Sequence, residues 1–179
     1  MRADAQRNRT RLLEVARAAV VSGRPLVLEE VAREAGVGIG TLYRHFPSRE
    51  ALVEEIFSAE RAALCARAEP LLADHDPVTA LRVWMDHYAD FVSTKRGMAE
   101  TLKAIIAADA GADTTARKSL YAAVGTLLDA GVRDGEIRSG ARAEDLVTAL
   151  VGILLATEDG DQVGRLFDLL VAGLRTGTG

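Results

Sequence analysis

The residues best equipped for chemistry in this chain of 179 residues crowd between positions 40 and 49: Gly40, Thr41, Tyr43, Arg44, His45 and Arg49. Their types suit nucleic acid. An arginine can donate two parallel hydrogen bonds to guanine, a threonine offers a hydroxyl and a methyl, and a glycine lets a backbone approach closely. Tyr43, His45 and Arg49 carry donors suited to phosphate oxygens. Catalytic constellations are poorer. Asp86-His87 with Asp90 has the ingredients of a general base, but adjacent helical residues point about 100° apart, so Asp86 and His87 do not converge. Asp74-His75-Asp76 has metal-ligand types, yet Asp76 precedes Pro77 and is placed to cap a helix. HExxH, GxSxG and GxxxxGK[ST] are all missing. The Gly36-x-Gly38-x-Gly40 triplet has no strand before it, and Thr41 stands where a dinucleotide loop needs its third glycine. No enzymatic activity, cofactor or metal is expected.

Positioning the 40–49 run is a task for short helices. Alternating β-branched runs do not occur, and the four prolines are Pro25, Pro47, Pro70 and Pro77, so an all-α chain is expected. A first helix is expected from about Ala5 to Ser22, stopped by Gly23 and Pro25. A second should span Leu28 to Ala35. Gly36-Val37-Gly38 is a tight turn, and a third helix should run from Ile39 to His45. This short-spaced trio reads as a helix-turn-helix head. On a wheel starting at Gly40, Leu42 and Phe46 fall at about 200° and 240° and define the buried side. Gly40, Thr41, Tyr43 and Arg44 then face outward, with His45 at the edge. Ser48 is placed to cap a fourth helix expected to continue to Leu72. Further helices are expected from Pro77, over Met98–Ala107, Ala116–Arg133, Ala143–Glu158 and Asp161–Arg175, nine in all, with a frayed Thr/Gly tail. Residues 1–50 would form the head and 51–179 the body.

The charge balance supports that division. The whole chain carries a net charge of −4, but residues 1–50 hold nine arginines against six acids, and residues 51–179 thirteen bases against twenty acids. A basic head suits phosphate and an acidic body does not. No stretch is long and apolar enough to span a membrane, and the first residues lack the apolar core of a signal peptide. The single cysteine, Cys65, excludes an intramolecular disulfide and reads as a buried, inert thiol. A cytoplasmic protein is expected, held at the nucleoid when bound to DNA.

The run Val31-Ala32-Arg33-Glu34-Ala35-Gly36-Val37-Gly38-Ile39-Gly40-Thr41-Leu42-Tyr43-Arg44-His45-Phe46, followed by Pro47-Ser48-Arg49-Glu50-Ala51-Leu52, resembles the tetracycline-repressor (TetR/AcrR) family over about residues 7–57. The resemblance implies a homodimeric repressor whose third helix enters the major groove of a double-stranded operator. It places contacts at Thr41, Tyr43, His45 and Arg49. Position 44 varies in the family, which makes Arg44 the candidate base reader. Ile39 matches a contact position too, although the wheel turns it toward the core, at about 260°. One departure concerns the second helix, which begins Leu26-Val27-Leu28-Glu29 where many members have Thr or Ser. A related fold that kept its shape and lost DNA binding, acting as an interaction protein, is the alternative.

For the body the resemblance implies a cavity for a small, largely apolar effector and dimerisation through the last two helices. Pocket candidates are Trp84, Tyr88, Phe91, Met98, Leu102 and Tyr121, with His87, Tyr88 and Asp90 as polar groups. Leu146, Leu150, Ile153 and Leu154 form one apolar stripe; Val163, Leu166, Phe167, Leu170 and Leu174 form another. Pattern alone serves a core as well as an interface; the resemblance assigns both stripes to the dimer.

Overall fold

Helices build the structure: α1 (Arg2–Val21), α2 (Leu28–Glu34), α3 (Ile39–His45), α4 (Arg49–Cys65), α5 (Ala68–Asp74), α6 (Pro77–Arg96), α7 (Thr115–Arg133), α8 (Ala143–Ala156) and α9 (Gly160–Leu174). The computed structural model describes residues 2–96 and 115–177. The helix expected at Met98–Ala107 lies outside those residues, as do Met98 and Leu102 themselves.

Nine helices occur among the described residues, but they are not the expected nine. The fourth, expected to continue to Leu72, instead ends at Cys65. Pro70 explains the break, because a proline ring clashes with the carbonyl four residues earlier, here Ala66, and has no N–H to give. Arg67 N donates to Leu64 O at 3.1 Å, a tightened last turn, before α5 begins at Ala68 with Pro70 in its first turn.

The break in α4 matters less than how that helix is shared. Leu12, Ala16, Ala19 and Val20 of α1 pack with Val31, Ala32, Leu42 and Phe46, and the head's core continues through Leu52, Val53, Ile56 and Phe57 of α4. The body's core begins at Leu64 and gathers Ala68, Leu81, Trp84, Met85, Val124, Leu127, Leu150 and Phe167. The two apolar clusters thus part on α4 between Phe57 and Leu64, past the expected division at residue 50. Residues 58–63 bury no apolar side chain, and Arg17 Nε to Glu60 Oε1 at 3.1 Å ties that stretch of α4 back to α1.

Local chemistry fixes where the head's helices start and stop. Gly36 ends α2 at φ +69°, a left-handed conformation open to glycine at little cost. Ser48 accepts from Ala51 N at 3.1 Å at the start of α4. Ser48→Ala should lower stability by about 1 kcal/mol in chemical denaturation, the usual cost of losing an N-cap; an unchanged midpoint would mean that the cap contributes nothing. In the body, Asp76 Oδ1 accepts from Thr79 N at 2.9 Å, and these hydrogen bonds hold its carboxyl below the usual aspartate range.

The start of the tail departs from expectation. Ile137 and Arg175 form an antiparallel bridge, Arg138 N donates to Leu174 O at 2.9 Å, and Thr176 N donates to Glu136 O at 3.0 Å. Residues 174–176 are thus pinned to the turn after α7 instead of fraying. Thr178 and Gly179 lie outside the described residues.

Candidate nucleic-acid interface and the body behind it

Leu42 and Phe46 are buried at 0% and 3% exposure, which turns the opposite side of α3 to solvent. Tyr43 is 46% exposed, Arg44 is exposed, and Thr41 and His45 are half-buried at the edges. The His45 ring lies 6.3 Å from that of Phe46, so the core steadies it. Ile39 corrects the wheel, being 38% exposed. A wheel gives direction but not whether a neighbour is present, and as first residue of α3 Ile39 projects past the packed surface. A Cβ added at Gly38 or Gly40 would meet nothing within 4 Å, so the chain's own packing does not demand glycine there. The face is left open to an outside surface.

The arginines of the head are not equivalent, which composition could not reveal. Arg7 pairs with Asp4, Arg9 with Glu55, Arg17 with Glu60 and Arg24 with Glu34. Arg9 also lies over the Phe46 ring, 5.3 Å from its centroid, linking α1, α4 and the end of α3. Arg11 donates to Ala35 O, and Arg49 Nε to Leu26 O at 3.3 Å. Arg49 is thereby anchored through one nitrogen, with its terminal nitrogens left to reach outward. Among the described residues of the head the side chains of Arg33 and Arg44 have no ion pair or hydrogen bond, and only Arg44 belongs to α3. The start of α2 offers no substitute for a hydroxyl cap: Val27 caps nothing, and Glu29 and Glu30 are exposed in the first turn. Carboxylates there complement the helix dipole, a structural reason for acids that would repel phosphate.

The pocket candidates divide. Trp84 is fully buried, donates from Nε1 to Leu64 O at 3.1 Å and stacks on Tyr88 at 5.7 Å between centroids. Both belong to the core. Phe91 and Tyr121 are half-buried and pack at its margin. His87 receives Arg67 Nη1 at Nε2, 3.2 Å away, while Asp86 is held by Arg82, so the two do not act as a pair. Cys65 is half-buried, and burial pushes its thiol up despite nearby Arg61.

The stripes assigned to a dimer need the largest correction. Leu146, Leu150, Leu154, Val163 and Phe167 are enclosed in the chain's own core and have no surface left to offer. Ile153, Leu166, Leu170 and Leu174 are half-buried. The large apolar side chains that α8 and α9 do expose are Leu155, at 60%, and Leu169, at 68%, neither of which the stripes included. Leu169 could have been found from its i+3 spacing to Leu166 and i+4 spacing to Gly173. Behind that face Arg82 clasps α6 to α9, reaching Asp168 at 2.7 Å and lying 5.6 Å from the Phe167 ring centroid. A groove of about 300 Å³ between the same two helices includes Val78, Arg82, Asp168, Val171 and Arg175 in its walls.

A three-helix head with an outward recognition helix, joined through a shared α4 to an all-helical body, defines the class of helix-turn-helix transcriptional regulators. Residues 24–56 match the bacterial regulatory proteins of the tetR family, and residues 76–176 match the C-terminal domain of SbtR-like transcriptional regulators. The chain belongs to the TetR family. Among solved structures, the TetR transcriptional regulator SCO0520 from Streptomyces coelicolor is 41% identical, with 95% of this chain and 99% of that one covered and a TM-score of 0.72. The TetR transcription regulatory protein from Mycobacterium vanbaalenii is 32% identical over 98% of this chain and 99% of that one, with a TM-score of 0.67. The HTH-type transcriptional regulator SAUSA300_2515 from Staphylococcus aureus is 25% identical over 107 residues, so the match spans 58% of this chain and 58% of that curated relative. Among the described residues no helix is long and apolar enough to cross a membrane.

Proposed function

We propose that the chain is a repressor that binds a palindromic operator in double-stranded DNA as a homodimer and releases it when a small, largely apolar effector occupies the body. The observation that carries DNA binding is Arg44, an exposed guanidinium with no internal partner among the described residues, on the outward face of α3 beside the open Gly40. It favours DNA binding over a fold that serves only as an interaction protein. Arg44 reads a base edge; Thr41, Tyr43, His45 and Arg49 hold the backbone, and Ile39 adds apolar contact at the start of the helix. Two heads must lie roughly 34–36 Å apart to enter successive major grooves. An effector acts by preferring a body arrangement that changes this spacing, and its influence is bounded by its differential affinity for the two states.

Selection of bound duplexes from a random pool tests the reading, with palindromic winners as the expected result; absence of any enriched sequence would refute it. Arg49→Ala should weaken all duplexes alike and flatten the salt dependence by about one unit of log–log slope per head. An unaltered slope removes Arg49 from the phosphate contacts. Dimerisation, with Leu155 and Leu169 covered by the second copy, is checked by light scattering, where the mass of a single chain at micromolar concentration would overturn it.

A further inference from the structure

Among the described residues, the body holds one buried polar side-chain atom that its own packing leaves unserved. His87 Nδ1 is buried and meets no hydrogen-bond partner there. Its protonation follows from the other side of the ring. Arg67 Nη1 lies 3.2 Å from Nε2, and a guanidinium can only donate, so Nε2 is the acceptor and the neutral ring carries its proton on Nδ1. The orphan is therefore an N–H donor, a group that is costly to leave unsatisfied. Helical spacing puts His87 three residues after Trp84 and four before Phe91, on one side of α6. Of Trp84, Tyr88 and Phe91 only Phe91 is half-buried; it meets the Tyr88 ring at 6.2 Å between centroids, and the Trp84–Tyr88 stack lies behind it in the core. Arg67 adds a positive charge that no carboxylate neutralises among the described residues.

We propose that the effector carries a carboxylate, one oxygen of which accepts the His87 Nδ1–H while its apolar body lies against Phe91. The inference rests on the effector-responsive reading above and adds the chemical class of the ligand. A neutral N–H on a ring whose other nitrogen meets a guanidinium with no carboxylate partner among the described residues favours an anionic acceptor over a neutral one and disfavours a cationic head group. Burial of the donor makes the hydrogen bond selective, because a ligand without an acceptor leaves it unpaired.

Trp84 is the only tryptophan in the chain and reports on this place directly. The full chain is titrated with octanoate and, separately, with octylamine, following Trp84 emission and the ¹⁵N resonance of His87 Nδ1. Octanoate should give a saturable emission change and move the Nδ1 resonance, and octylamine should do neither. His87→Phe keeps a ring and removes the donor; it should weaken octanoate at least about tenfold, as expected of a site built around one buried donor, without lowering the melting temperature. Arg67→Gln, which keeps His87, should weaken octanoate as well. Equal octanoate affinity in wild type and His87→Phe would overturn the proposal. So would an Nδ1 resonance indifferent to octanoate, since the donor is then satisfied by water. DNA retention measured on the same samples separates the two readings. Operator binding without an octanoate response refutes the carboxylate and leaves the regulator intact; an octanoate response without any DNA binding does the reverse.

Discussion

Arg44→Ala is expected to bind its operator about 1–3 kcal/mol more weakly and to lose discrimination at one base pair in each half-site. The size follows from geometry: a bidentate arginine–guanine pair gains two charge-assisted hydrogen bonds, and a wrong base leaves them unmade. Because Arg44 has no partner among the described residues, its removal should leave thermal stability unchanged, within about 0.5 kcal/mol. Arg33→Ala supplies the control. Arg33 is also exposed and unpaired among the described residues but lies on α2, so its replacement should leave the base preference alone. The check is a selected-duplex profile for each variant beside wild type. An Arg44→Ala profile that keeps every preference would show that the guanidinium contacts phosphate alone.

Trp84→Ala should cost about 3–5 kcal/mol, a large part of the roughly 5–15 kcal/mol typical of a domain. Three losses combine: a fully buried indole, its stack on Tyr88, and its hydrogen bond to Leu64 O. Denaturant unfolding followed by circular dichroism measures it, since the variant has no tryptophan to report. A loss below about 1 kcal/mol would return Trp84 to the wall of a cavity, because side chains lining empty space forfeit few contacts.

Most of the head was legible in the sequence because each of its decisions is local. Gly36 admits the left-handed turn, Ser48 supplies one cap, and Leu42 with Phe46 defines one buried side, so the outward face of α3 follows from spacing. Ile39 escaped because direction on a wheel does not say whether a neighbour stands there. Pro70 carries its own signal, since its clash with the Ala66 carbonyl ends α4 early; the apolar run on both sides conceals it. The body was less legible for a different reason. Periodicity marks which face of a helix is apolar, but α8 and α9 each carry more apolar residues than one face can hold. Only packing reveals that Leu146, Leu150 and Phe167 face inward while Leu155 and Leu169 face out. Net charge misled in the same way: four of the arginines that make the head basic are paired with acids of this chain.

The bare stretch of α4 has a consequence for how the molecule comes apart. Residues 58–63 carry no buried apolar side chain, so a fluctuation that opens this turn and a half exposes little new apolar surface. Its amides should exchange with deuterium through local fraying, while those at 52–57 and beyond Leu64 wait for the collapse of the cluster each belongs to. Two cooperative units then share a single rod, and either can melt while the other persists. A calorimetric trace fitted to one transition would yield a van't Hoff enthalpy below the measured heat, because it would be averaging two events.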